Sequence, residues 1–351
     1  MSRLISRNYE PSGQLQMAEG RMTSHAAKGT DIDDVFLVSH YPRPAATDGS
    51  LEVIGRDGTS ARITLDDLRT LPQRSVTAVL ECAGNGRGLL ATRSPGSQFG
   101  LGMFGQSTWR GATLRDVLEL AGVSAEGATQ VVVMGSDEGV TMPENSHDQF
   151  GKGIPLAKAL HPDTILAWQV DDREVPHAHG GPLRLVVPGW FGIWWVKWPK
   201  LIQVRDEEFT GFWQNERYTY QDETGAVLSV VEELYPRAVL RSPLPGAEIT
   251  DEAELELLAW AGELAVVAVQ VSFDDGATWL DAEKVDDTGP WGWSRWTGRV
   301  PAGLPRGLRR IAVRARDAAD RGQDWQPGYN RLGYANNGIQ VIDVDLIAPA
   351  P

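Results

Sequence analysis

One cysteine, Cys82, stands in a chain of 351 residues, and that count limits how the chain can be held together. A disulfide needs two thiols and a cysteine-rich zinc or iron–sulfur centre needs more, so staples of those kinds are closed to it. Stability must come from a packed core. A 42% hydrophobic composition over this length allows one large enough for two domains, or for one domain with an appendage.

The apolar residues fall in short runs cut by turn residues, among them 38 glycines and 21 prolines. Residues 1–30 are polar and unpatterned, and are expected to form an arm that packs on the surface or stays mobile. From Asp34 the chain is patterned. DVFLVSH reads as a strand, and LEVIGRDGTSARITLDDLRTLP as a strand, a Gly/Asp turn, a second strand and a short helix with Thr64 as N-cap. SVTAVLECAGN is a β-branched run that puts Cys82 at the end of a buried strand. TLRDVLELAG predicts a short amphipathic helix closed by a glycine, and QVVVMGSDEG another buried strand. GIPLAKAL, TILAWQVDD, GPLRLVVPG and WWVKWPKLIQV then alternate apolar runs with turns. The character changes near Tyr235–Pro236: ELELLAWAG, LAVVAVQVSFDDGATW, WGWSRWTGRV, GLRRIAVRARDAAD and GIQVIDVDL carry the spacing of an antiparallel immunoglobulin-like sandwich, one without an inter-sheet disulfide.

Several functions are disfavoured. A net charge of −14 argues against sequence-independent nucleic-acid binding, which needs clustered Lys and Arg on phosphates. No run approaches the roughly 18 apolar residues of a membrane span, and the N-terminus shows neither an apolar leader core nor a twin-arginine pair, so a cytoplasmic protein without membrane contact is expected. There is no G-x-G-x-x-G after a strand and no C-x-x-C-H haem-attachment motif.

Two segments concentrate chemistry. In ECAGNGRG, Cys82 lies among Gly84, Gly86 and Gly88, where backbone could approach a bulky ligand, with Asn85 and Arg87 to supply polar contacts. By residue type alone a cysteine is more often a small buried hydrophobe. HAHGGPLRLVVPGWFGIWWVKW brings His177, His179, Arg184 and Lys197 together. These suit a phosphate-like anion, since Arg offers a fork and Lys a point charge; a first-row metal bound by H-x-H, or a polar rim on a buried sheet, are the alternatives.

ECAGNGRG resembles the Cys-Ala-Gly-Asn segment of the sulfite oxidase family. GKGIPLAKALHPDTILAWQVDDREVPHAHGGPLRLVVPGWFGIWWVKWPKLIQV is similar to that family's next long signature, and SHYPRP to its N-terminal cofactor segment. SPLPGAEI, VQVSFDDGATW and W-x-W-x-x-W resemble its C-terminal dimerisation domain, so the match runs over about residues 34–345. The resemblance implies an α+β chain: an arm over residues 1–33, a mixed α/β molybdopterin-binding catalytic domain over 34–235, and an all-β immunoglobulin-like dimerisation domain over 236–351.

It further implies molybdenum held by a pyranopterin dithiolene (molybdopterin), with Cys82 as the protein's thiolate ligand. His40, Asp137, His179, Arg184 and Lys197 carry over as the grip on the cofactor, joined by Val38, Ser39, Trp195 and Val196 at neighbouring cofactor positions. Arg87 falls on a substrate-anion position and Tyr218 on the family's active-site tyrosine, with Tyr220 its nearby competitor. The departures concern the substrate anion. Val38 and Ser39 replace an arginine and an asparagine, and a second arginine position falls on Leu332, with Arg331 one place earlier. On a strand that shift would turn the side chain to the opposite face.

The implied activity is oxygen-atom transfer, with oxidation of sulfite or a related sulfur compound to sulfate first. Reduction of an oxo-donor such as a sulfoxide or nitrate is the alternative, and a cofactor-free binding protein the reading from another class. Electrons are expected to pass to a separate carrier such as a cytochrome, the substrate to be a small oxo-anion or oxo-donor, and the chain to form a homodimer through its tryptophan-rich C-terminal part. Trp190, Trp194, Trp195 and Trp198 are expected mostly to pack.

Overall fold

The computed structural model of the chain describes residues 4–9, 16–26, 28–141 and 146–348. The β-branched run before Cys82 forms the strand Arg74–Glu81, and its last four residues are buried because the sheet is covered on both faces. It pairs antiparallel with Phe104–Thr113, and Ile165–Val170 extends the sheet, carrying Arg173–Glu174 and Arg184–Val186 on its other side. A second sheet runs Ser60–Ile63, Leu51–Ile54, Pro199–Arg205, Gln130–Val140, His147–Pro155. Within it Leu51–Ile54 and Pro199–Arg205 pair in parallel, which joins the two ends of this half of the molecule.

Thr64 caps the helix Leu65–Arg69 as expected, in a reciprocal box with Asp67. Leu114–Leu120 is the predicted amphipathic helix, closed at Gly122 with a positive φ of 68°. With Leu156–Ala159 these are the α-helices among the described residues, so the chain is mostly β and its helical share small for an α+β class. The physical reason is spacing: Gly, Pro and Asp return too soon for the three or four turns a stable helix needs.

The N-terminal arm departs from expectation. Ile5–Tyr9, Gln16–Glu19 and Leu37–Ser39 form a three-stranded sheet, and Glu19, His25 and Thr30 are buried. Glu19 accepts hydrogen bonds from the backbone N–H groups of Gly100 and Gly102, while His25 stacks on Phe104 at 4.1 Å. The segment's lack of apolar patterning hid this, because Glu19, His25 and Thr30 are buried through polar contacts, with His25 Nδ1 2.9 Å from Thr30 Oγ1.

Beyond Arg237 lie two packed sheets. One runs Arg237–Ser242, Glu254–Trp260, Ser294–Arg299, Glu283–Asp287; the other Glu248–Ile249, Gln340–Leu346, Gly307–Asp317, Val266–Ser272, Leu280–Asp281. Between them Leu240, Leu257, Val271, Val313 and Val344 form a core separate from that of the first half. Trp260, Trp291 and Trp293 belong instead to the first half's core, and Trp296 is buried between the sheets. These four tryptophans therefore pack within the chain, whereas Trp279 is half-buried and Trp325 is exposed.

Candidate active site

Cys82 emerges directly from the strand Arg74–Glu81. Its N–H donates to the Met103 carbonyl at 2.9 Å, its carbonyl accepts from Asn85 N–H at 2.9 Å, and its Sγ accepts from Gly84 N–H at 3.4 Å. The loop is glycine-rich for the protein's own sake. Gly86 has a left-handed φ of 74°, and a Cβ on Gly88 would stand 2.9 Å from the Phe99 carbonyl. Asn85 likewise faces the interior, donating to Glu81 Oε1 at 2.9 Å and accepting from Met103 N–H at 3.2 Å. The expectation that Gly86, Gly88 and Asn85 meet a ligand is corrected accordingly.

Under the loop lies a buried strut. Glu81 Oε1 pairs with Arg237 Nε at 2.9 Å, Glu81 Oε2 accepts from Trp260 Nε1 at 2.7 Å, and Arg237 also donates to the Asn336 carbonyl. Asn336 Nδ2 returns to the Gly86 carbonyl at 2.6 Å. The C-terminal half thus grips both ends of the turn that presents the thiol.

The thiol opens onto two chambers, and Val38, His40, Cys82 and Tyr218 belong to the walls of both. The inner chamber, about 540 Å³ including space open to solvent, adds Ser39, Asp137, Trp195 and Lys197, with Phe36 and Phe150. The outer, about 1270 Å³ including space open to solvent, adds Arg87, Phe99, Trp213, Arg217, Leu332 and Tyr334 among others.

In the inner chamber Lys197 donates to the Val38 carbonyl at 2.9 Å and to Ser39 Oγ at 2.7 Å, and lies 4.3 Å over the Trp198 ring. Asp137 sits where the pairing of Gln130–Val140 with His147–Pro155 slips, and its buried Oδ1 has no partner. Burial pushes Asp137 up, with Lys197 opposing, and pushes Lys197 down, with Asp137 opposing. His179, Arg184 and Val196 lie behind the wall rather than in it. Arg184 Nη1 donates to the His179 carbonyl at 2.7 Å, Trp109 and Trp195 flank its guanidinium at 5.3 and 5.8 Å, and its buried Nε is unpartnered. The Val196 carbonyl accepts from Leu185 N–H at 2.8 Å. His177 is excluded from the site: its ring nitrogens contact the Gly181 and Pro44 carbonyls at 3.1 and 3.0 Å. The H-x-H metal alternative loses its second ligand.

Between the chambers His40 Nε2 contacts Tyr218 Oη at 2.8 Å. Burial, then Lys197 and Lys152, push His40 down to about 3, so its ring is neutral. Burial raises Tyr218 well above the ordinary phenol, and the residue holds a left-handed φ of 37°, a strained backbone of the kind found at functional sites. Tyr220, the competitor, points elsewhere, in a hairpin where it pairs with Ser229. Burial also pushes the Cys82 thiol up to about 11, so a metal must displace its proton.

Arg87 is buried in the outer chamber, its Nη1 donating to the Ser97 carbonyl at 3.2 Å and its guanidinium 4.6 Å over the Tyr334 ring, with Nε unpartnered. Leu332 faces this chamber, whereas Arg331 is exposed and packs beside Gly225. The segment is a turn and not a strand, yet the one-residue offset has the same consequence. No carboxylate among the described residues lines the outer chamber.

Sequence reasoning missed Trp213, Lys152, Arg217 and Tyr334. Trp213 stacks on His40 at 3.9 Å, donates through Nε1 to Tyr41 Oη at 2.8 Å, and offers its carbonyl to Lys152 Nζ at 2.6 Å. It sits on a π-helical turn, Phe212–Glu216, which sets the approach of Arg217 and Tyr218. A lysine between two glycines in a buried strand was a signal for Lys152; the others had none beyond residue type. Trp190, Trp194 and Trp198 do pack outside the chamber walls, while Trp195 forms part of one.

Residues 40–213 match the oxidoreductase molybdopterin binding domain. The chain is 34% identical to the mitochondrial sulfite oxidase of Drosophila melanogaster, over 90% of this chain and 59% of that protein. It is 32% identical to the sulfite oxidase of Gallus gallus, over 84% of this chain and 66% of that one. It therefore spans a little under two thirds of these relatives' length. The sulfane dehydrogenase SoxCD of Paracoccus pantotrophus shares the fold, with a TM-score of 0.81 and 24% identity over 96% of this chain and 86% of that one.

Proposed function

Because the chain belongs to the sulfite oxidase family of molybdopterin-binding oxidoreductases, we propose that it is a molybdenum enzyme oxidising sulfite or a related sulfur compound by oxygen-atom transfer. One observation carries the reading: a single thiol stands between a chamber with an unsatisfied buried carboxylate oxygen and a chamber with a buried guanidinium.

The residues fit the cofactor. Asp137 Oδ1 offers an acceptor for pterin N–H groups, and Lys197, with Arg184 behind it, offers positive charge to a phosphate. Burial has pushed all three toward neutrality, which a bound polar anion with hydrogen-bond donors would relieve. When bound, the cofactor supplies a redox metal that takes a thiolate from Cys82 and exchanges an oxygen atom with substrate. Arg87 draws the substrate anion toward the thiol's side of the outer chamber. His40 and Tyr218 share a hydrogen bond between neutral groups; with the proton on Nε2, the phenol is free to donate into the chambers. Trp213 holds His40 in plane for that contact.

We further read the two packed sheets as an immunoglobulin-like sandwich, on their pairing and their separate core, and as the module through which the family dimerises. Electrons leave to a separate one-electron carrier such as a cytochrome. Metal analysis of protein from a host competent in cofactor synthesis should find about one molybdenum per chain, with sulfite reducing an artificial acceptor. Molybdenum-free protein would instead support a binding protein, and turnover only of oxo-donors with reduced viologen a reductase. Sedimentation velocity decides the dimer.

A further inference from the structure

We propose that the outer chamber selects organic sulfinates, R–SO₂⁻, in which an apolar group replaces one oxygen of sulfite, and that Val38 and Leu332 set this preference. The proposal rests on the oxidase reading above and names its substrate class. Sulfite presents oxygens on every side and up to two charges, so taking it out of water needs several charge-assisted hydrogen bonds. The outer chamber offers Arg87 and Arg217 as its cationic side chains among the described residues, and Arg87 already donates to the Ser97 carbonyl. Much of the remaining wall is apolar: Val38, Phe99, Trp213 and Leu332. Leu332 is 7% exposed, and the neighbouring Arg331 is turned away to the surface.

A singly charged head on Arg87 with an apolar substituent against Leu332, Phe99 and Trp213 satisfies both kinds of wall at once. Area removed from water then favours the ligand where a second charge would be left unpaired. The chemistry needs nothing new. A sulfinate and one water give a sulfonate, two protons and two electrons; one S–O bond forms, the water's O–H bonds break, sulfur is oxidised, and the electrons go to the one-electron carrier already proposed.

The test uses molybdenum-loaded full-length protein with ferricyanide as acceptor, and compares kcat/KM for sulfite, methanesulfinate and benzenesulfinate. Calorimetry on the same protein compares the Kd of benzenesulfonate with that of sulfate. Benzenesulfinate is expected to exceed sulfite by about tenfold or more, the scale of small apolar discrimination, and benzenesulfonate to bind more tightly than sulfate. Leu332→Arg should raise kcat/KM for sulfite and lower it for benzenesulfinate, an inversion that mere damage to the fold does not produce. If that variant fails to fold, Val38→Arg makes the same exchange from another segment. Preference for sulfite, sulfate binding more tightly than benzenesulfonate, or parallel loss on all substrates in the variants overturns the proposal alone. Turnover of none of the three overturns the oxidase reading and this proposal with it.

Discussion

Two chambers meet at Cys82 and Tyr218, and their walls differ in kind. The inner one gathers a buried carboxylate, a half-buried ammonium and a buried guanidinium behind it, and the carboxylate and guanidinium have unsatisfied polar atoms. The outer one is aromatic and aliphatic around Arg87 and Arg217. Buried charges that cost this much are kept where a partner offsets them, so the inner chamber is shaped to one large polar ligand. The outer chamber makes no such demand and can change its taste by single substitutions. On the reading proposed above, holding the cofactor and choosing the substrate are separable tasks.

The sharpest break in that comparison is Cys82→Ser, which removes the residue common to both tasks. Turnover should be abolished and molybdenum content should fall; a fully loaded serine variant would show that the thiol is not the ligand. Next in size is Arg237→Met, which leaves Glu81 buried without its cation. Breaking a buried pair from one side costs about 3–5 kcal/mol, read as a lower urea midpoint. Because the strut underlies Cys82, both chambers should suffer together, and an unchanged midpoint would remove the strut from the account.

His25 gives an effect of about 3 kcal/mol that touches neither chamber's chemistry. Burial, and then Arg241, hold its pKa at about 4 against an unfolded 6.5. The folded state thus resists protonation: stability is full above about pH 6.5 and is lost as pH falls toward 4, by about 1.4 kcal/mol per unit. Urea titrations at pH 7 and pH 4.5 should show this loss shrinking in His25→Gln. An equal loss in the variant would assign the acid sensitivity to other groups. The smallest effect is expected of Tyr218→Phe, which keeps the ring and removes one polar partner from the shared wall. A fall in kcat/KM of about 10–100-fold with molybdenum content unchanged is expected; loss of the metal as well would move Tyr218 into the inner chamber's task.

Much of the site was legible because its residues sit in strong local contexts. Cys82 follows an eight-residue β-branched strand, and Lys197 lies in a motif whose glycines and tryptophans have few structural solutions. Thr64 announced its helix as an N-cap, and Asp67 completes the box in the structure. Trp213, Arg217 and Tyr334 were not legible in the same way, since nothing within a few residues marks them as facing a cavity. Gly86 and Gly88 looked like room for a ligand and are room for Asn336 and the Phe99 carbonyl, while Gly84 lines the outer chamber.

The sequence by itself determined the short strands and the thiol at a strand's end, since local patterning is written along the chain, and its resemblance to the family supplied the candidates for holding a pterin. It also announced the loss of two arginines, at Val38 and Leu332. Only the tertiary structure shows what surrounds those two positions. Burial, orphaned polar atoms and the orientation of Arg331 depend on segments far apart in sequence meeting at one wall, as Cys82, Tyr218 and Leu332 do around the outer chamber. Desolvation is a property of that closed arrangement and of no residue alone, which is why an unpaired carboxylate and an apolar antechamber could be found only there.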